Sequence, residues 1–179
     1  LPIDHVVVQK VEAGAPTKVV DTLEAGWMGV DIGPKTRALF AEKRQTLATM
    51  ESCTGGLLAS TLTDVSGAAD YFKGGIVTYW TDFKVESGVP AEIIEEFGVV
   101  SPETAIAMAS ATREKLGTDY GIGITGVAGP DPQDGVPPGI AHIGVAGPGG
   151  ETGSMTININ QGRAALKRRF DVPHTRLPE

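Results

Sequence analysis

The stretch Glu51-Ser52-Cys53-Thr54-Gly55-Gly56 limits what this chain can fold into more than any other. The apolar run Thr46-Leu47-Ala48-Thr49-Met50 leads into it, and Leu57, Leu58, Leu62 and Val65 follow at helical spacing. That order predicts a strand, a tight turn and a helix, with small polar side chains gathered where the helix starts. Ser52 and Thr54 are expected to cap free helix N–H groups, and the paired glycines let a ligand come close to the backbone. The partial positive charge of a helix start favours an anion there, either a phosphate or a developing oxyanion. An ordinary capped helix carries the same residues, so the stretch alone does not establish chemistry.

The same alternation continues downstream. Gly74–Tyr79, Tyr120–Ile124, Ile140–Ala146 and the alternating Met155, Ile157 and Ile159 read as strands. Pro90–Phe97 reads as a short helix closed by Gly98, and Ser101-Pro102-Glu103 opens a longer one that Gly117 stops. Gln161–Phe170 reads as a last helix, and residues 129–139, rich in Gly, Pro and Asp, as a loop. Strands alternating with helices imply an α/β protein, a three-layer sandwich around a mixed, mostly parallel sheet. Residues 1–36 differ in character: Val6-Val7-Val8 and Lys18-Val19-Val20 are two short strand candidates, and Pro34 suits the first turn of a helix. The chain therefore divides into a strand-rich extension, 1–36, and one α/β domain, 37–179.

Composition narrows the function. The net charge of −7 argues against nucleic acid as a partner. No apolar run approaches the roughly 20 residues of a membrane span, so no membrane partner is expected. No signal peptide is visible at Leu1-Pro2-Ile3-Asp4-His5. The single cysteine, Cys53, precludes an intrachain disulfide and fits a reducing, cytoplasmic setting. His5, His142 and His174 have no metal-ligand spacing, so neither metal nor cofactor is expected. The basic run Arg163, Lys167, Arg168 and Arg169 reads as a solvated helix face or an anion site.

Three polar elements recur at predicted strand ends: Ser52 with its neighbours, Tyr79 with Lys84, and Thr125-Gly126 with Gly129-Pro130. Ligands of open α/β sheets gather at such ends. His142 falls inside a predicted strand, which leaves Ser52 without a histidine base. A lysine whose pKa falls from its usual value of about 10.4 can activate a serine instead, and a tyrosine can relay the proton. Taken singly, Tyr79 reads as well as a packing residue, and Lys84 as a surface charge. Cys53 reads as a small buried neighbour or, less well, as a nucleophile.

Taken together, Glu51-Ser52-Cys53-Thr54-Gly55-Gly56, Tyr71-Phe72-x-Gly74-Gly75, Tyr79-x-x-x-x-Lys84, Gly98-x-Val100-Ser101 and Thr125-Gly126-x-Ala128-Gly129-Pro130 resemble the C-terminal domain of the CinA family over about residues 37–165. That family includes nicotinamide-mononucleotide amidohydrolases. The resemblance implies a CinA-like fold and metal-independent hydrolysis of the carboxamide of nicotinamide mononucleotide or a related pyridine nucleotide. It implies a Ser–Tyr–Lys site at Ser52, Tyr79 and Lys84. Substrate binding would fall to Glu51, Cys53, Thr54, Gly55, Gly56, Thr125, Gly126, Gly129 and Arg163, and the protein would form homo-oligomers. Trp80 and Phe83 stand where smaller residues are usual, and would narrow or reshape the pocket. The alternative is a catalytically weakened binding or subunit-interaction module of the same fold. Separately, Gly26-Trp27-Met28-Gly29-Val30-Asp31-Ile32-Gly33-Pro34-Lys35-Thr36 resembles a segment of phosphoglycerate kinase. The likeness covers about 42 residues and implies a fused scaffold rather than a kinase.

Overall fold

The computed structural model describes residues 6–10, 18–20, 32–158 and 162–164. Thirteen named segments follow in order, beginning with β1 (Val6–Lys10), β2 (Lys18–Val20) and α1 (Ile32–Lys43). The strand and helix around the Ser52 turn are β3 (Leu47–Glu51) and α2 (Leu57–Thr63). Then come a single 3-10 turn (Ala68–Asp70), β4 (Phe72–Val77), α3 (Thr81–Glu86), α4 (Ala91–Phe97) and α5 (Pro102–Leu116). The chain continues through β5 (Tyr120–Gly126), β6 (Ile140–Ala146) and β7 (Thr152–Asn158).

The seven strands of the described residues share one sheet, in the order β2-β1-β7-β6-β5-β3-β4. The sheet is mixed, as expected, but it is not mostly parallel. Only β3 pairs in parallel, with β4 and β5, whereas β5–β6, β6–β7, β7–β1 and β1–β2 are antiparallel. The cause lies in the connections. Five residues between β6 and β7 cannot hold a crossover helix, so the chain must reverse as a hairpin. β1 and β2 extend the same sheet beyond β7, and α1 runs across residue 36. The kinase-like string from Gly26 to Asp31 and most of the expected helix Gln161–Phe170 lie outside the described residues.

Helices cover both faces. Leu47, Leu58, Leu62, Tyr71 and Ile124 form the core on the side of α1 and α2, with Phe40 packed edge-on to Tyr120. Met50, Val89, Met108 and Ala111 form a second core beneath α5. α5 starts as its sequence dictates: Ser101 Oγ accepts from the N–H of Thr104 at 3.1 Å, and Pro102 occupies the first turn. Gly117, at φ 60°, closes it with an N–H directed at the Arg113 carbonyl.

The approach of α5 to the sheet is set by glycine. A Cβ at Gly121 would collide with the carbonyl of Ala109, and one at Gly123 or Gly144 with the backbone of Ala105. The helix therefore rests on β5 and β6 at backbone contact. Gly123→Ala should lower unfolding stability by about 3 kcal/mol, read from urea denaturation, because backbone and not a flexible side chain must move.

Candidate active site

The register aligns Glu51 with Val77 on one side and Ile124 on the other, so three parallel strands end together. The residues just past those ends, Ser52 and Thr78, and the last of β5, Thr125 and Gly126, form one edge of the molecule. Two backbone bonds fix it: Ser52 N–H to the Ile124 carbonyl at 3.0 Å, and Thr78 N–H to the Glu51 carbonyl at 2.8 Å.

A cavity of about 290 Å³ opens at this edge. Ser52, Cys53, Lys84 and Thr125 lie at its floor, each less than a tenth exposed. Tyr79, Asp131, Gln133 and Arg163 stand at its rim and are exposed to solvent. Polar groups converging in a concave site at strand ends are the usual form of a small-molecule site in an α/β fold.

Lys84 is the centre of the floor. Its side chain is 1% exposed, and Nζ lies 3.1 Å from Ser52 Oγ and 2.7 Å from the Thr78 carbonyl oxygen. It reaches there because α3 makes barely two turns and turns Lys84 inward, while Trp80 and Phe83 face solvent at 76% and 42% exposure. The two aromatics therefore do not narrow the cavity. Burial brings the Lys84 amine down to about 8. The nearby Cys53 thiol is pushed up to about 11, also by burial, and stays protonated over the range in which the lysine titrates. Cys53 therefore stands beside the amine as a neutral thiol, and packs as a small core residue.

Tyr79 lines the same cavity as Ser52, but its hydroxyl is engaged by Arg163. Its hydroxyl accepts from Arg163 Nη2 at 2.7 Å, and Arg163 Nη1 donates to the Gly129 carbonyl at 3.2 Å. Tyr79, Gly129 and Arg163 thus form a clasp across the mouth, and Ser52 meets Lys84 without an intervening phenol.

Glu51 does not reach the cavity, contrary to the substrate-binding role expected of it. It is 1% exposed on the α2 face, where its carboxylate accepts from Thr54 Oγ1 at 2.6 Å, Leu58 N–H at 3.0 Å and Ala59 N–H at 2.8 Å. Glu51, rather than Ser52 or Thr54, satisfies the start of α2, whose cap residue Gly56 sits at φ 96°. A carboxylate already fills the place where an anion was expected. Thr54, Gly55 and Gly56 shape the turn but do not line the cavity, and Gly55 donates its N–H to the Ser52 carbonyl at 3.0 Å. Thr125 and Gly126 do line it, although the Thr125 hydroxyl is committed to the Val99 carbonyl at 2.7 Å. His142 sits in β6 with Nδ1 2.9 Å from the Thr156 hydroxyl and takes no part in the lining.

Several contributors were not legible as site residues. Thr78 acts through its carbonyl, which no side-chain pattern reveals. Asp131 and Gln133 belong to a loop whose Gly, Pro and Asp content marks only a turn.

The CinA C-terminal domain family model matches residues 32–172. This chain belongs to the CinA C-terminal domain family. A CinA-like protein from Frankia casuarinae is 45% identical over 150 residues, covering 83% of this chain and 33% of that one. A putative competence-damage inducible protein from Moorella thermoacetica is 49% identical over 112 residues, 62% of this chain and 27% of that one. The chain thus spans about a third or less of the length of these curated relatives. Among solved structures, the competence/damage inducible protein CihA from Agrobacterium tumefaciens superposes with a TM-score of 0.73 at 27% identity, covering 85% of this chain and 94% of that one. A CinA superfamily protein from Escherichia coli does so with a TM-score of 0.73 at 26% identity, covering 87% and 92%.

Among the described residues of this CinA domain no helix is long and apolar enough to cross a membrane, and no His, Cys, Asp and Glu cluster could hold a metal ion.

Burying Lys84 has a cost that can be measured. The folded-state pKa of about 8 lies below the ordinary 10.5, so the folded protein holds this proton less tightly than the unfolded chain. The penalty is complete below pH 8 and vanishes above 10.5; its size is on the order of 3 kcal/mol. Lys84→Met should therefore raise the urea midpoint at pH 7, and the gain should shrink as the pH approaches 10.5.

Proposed function

We propose that this CinA domain is a serine–lysine amidohydrolase that cleaves the carboxamide of nicotinamide mononucleotide or a related pyridine nucleotide, giving the carboxylate and ammonia. The observation that carries the reading is the buried 3.1 Å contact between Lys84 Nζ and Ser52 Oγ, with the amine brought down to about 8. A module that only bound a ligand would have no use for a desolvated lysine on a serine hydroxyl, since that burial opposes folding. Charged, the amine donates to Oγ. Neutral, it accepts the hydroxyl proton across the same contact, which is what a serine nucleophile needs.

In this scheme Ser52 Oγ attacks the carboxamide carbon as its proton passes to Lys84. Collapse of the tetrahedral intermediate breaks the C–N bond, and the Lys84 ammonium protonates the departing amide nitrogen to ammonia. Water, deprotonated by the same amine, then cleaves the Ser52 ester and frees the acid and the hydroxyl. For the oxyanion, the N–H groups of Leu58 and Ala59 serve Glu51, and that of Gly55 serves Ser52. The donor assigned to the oxyanion is the N–H of Cys53, directly after the nucleophile and in the cavity lining. The Thr78 carbonyl holds Nζ in place, and Thr125 and Gly126 wall the ring side. Arg163, fixed by the Tyr79 hydroxyl and the Gly129 carbonyl, meets the substrate phosphate as a charge-assisted fork.

The test is ammonia release from nicotinamide mononucleotide. Lys84→Ala should lower kcat by about 10³-fold, and Ser52→Ala by at least as much. Since the charged amine cannot accept a proton, kcat/KM should rise about tenfold per pH unit up to about 8 and level above it. A profile that is flat from pH 6 to 8 would overturn the role of Lys84.

Tyr79→Phe removes the anchor of Arg163 and leaves the Ser52–Lys84 contact intact. It should raise KM about tenfold and leave kcat within about threefold. A loss confined to kcat would return Tyr79 to the chemical step.

A further inference from the structure

The rim carries a second charged group that the reading above does not use. Asp131 lines the cavity on the limb that also bears Pro132 and Gln133, within the connection from β5 to β6. That connection is a built hairpin rather than a slack loop. Val127 N–H reaches the Ile140 carbonyl and Gly139 N–H the Val127 carbonyl, both at 2.8 Å. Further out, Gln133 and Val136 exchange two backbone bonds of 3.1 and 2.8 Å around Asp134 and Gly135, at φ 51° and 79°. Two consecutive positive φ values are the mark of a tight two-residue reversal. The limbs also touch near the base, since a Cβ on Gly129 would lie 2.9 Å from Pro138 Cβ. Asp131 is thereby held over the cavity by backbone bonds on either side of it.

Its partner must be a donor. A carboxylate accepts hydrogen bonds and repels phosphate, so Asp131 does not share the anion with Arg163. Nor does Arg163 neutralise it, because the two hydrogen bonds of that guanidinium go to the uncharged oxygens of Tyr79 and Gly129. The floor is suited to an amide and the clasp to a phosphate, and the group that joins these in a mononucleotide is the sugar. Vicinal hydroxyls are a donor pair that a single carboxylate matches, as acidic residues do in dinucleotide-binding folds.

We infer that the 127–140 hairpin forms a ribose-diol subsite in which the Asp131 carboxylate accepts from the sugar hydroxyls. This makes the cavity selective for ribonucleotides over their deoxy counterparts. The inference rests on the placement of amide and phosphate given above, and it is tested with a probe that contains no amide.

Ribose 5-phosphate and 2-deoxyribose 5-phosphate are titrated calorimetrically into the wild type, Asp131→Asn and Arg163→Ala. The wild type should bind the ribose form about tenfold more tightly than the deoxy form. Asp131→Asn should lose that discrimination through weaker binding of the ribose form alone, whereas Arg163→Ala should weaken both alike. Equal binding of the two sugars by the wild type, no binding of ribose 5-phosphate at millimolar concentration, or discrimination that survives Asp131→Asn would overturn the subsite. Ammonia release from nicotinamide mononucleotide separates this from the amidase reading. Discrimination without ammonia leaves the subsite standing and removes the amidase; ammonia without discrimination does the reverse.

Discussion

A lysine ammonium at the bottom of this cavity is held by two oxygens, those of Ser52 and Thr78, in a place where water barely reaches it. A cation so placed destabilises the fold unless those acceptors are fixed, and the architecture fixes them. Ser52 hangs from β3 and is tied across to β5; Thr78 leaves β4 and is tied back to β3. The parallel trio β3, β4 and β5 is the part of the sheet that fixes these acceptors. The antiparallel strands beyond it extend the layer and carry the hairpin.

The Ser52 turn also depends on the residue before it. Glu51 is buried on the face opposite the cavity, where it holds Thr54 and two N–H groups at the start of α2. One strand end thus serves both faces: an acid inward to α2, a hydroxyl outward to the cavity. Because the carboxylate already compensates the helix start, an anionic ligand would have to be met elsewhere, and the proposed function assigns that task to Arg163 at the mouth.

Most of the layer order was legible in the sequence, because β3 to β7 show clean period or apolar runs and α5 is bracketed by Ser101-Pro102 and Gly117. The strand directions were not, since hydrophobic pattern does not distinguish a reversal from a crossover; connection length does. α3 escaped because six residues are too few to show a helical stripe, and two of its neighbouring aromatics point to solvent. The spacing of Tyr79 and Lys84 pointed to two residues that line one cavity, where the amine bonds to Ser52 and the phenol to Arg163. Only side-chain direction separates a tyrosine that relays a proton from one that steadies an arginine. Glu51 was legible as part of the site motif, yet which face it served could not be read, because a strand end offers both.

The glycine contacts between α5 and the sheet have a consequence for how the site can move. With backbone resting on backbone at Ala105 and Ala109, α5 has no slack with which to move against β5 and β6. Since β5 also carries Thr125 and Gly126 of the cavity, that side of the site is braced by main chain, and any give at the mouth falls to the exposed Tyr79–Arg163–Gly129 clasp and its two hydrogen bonds.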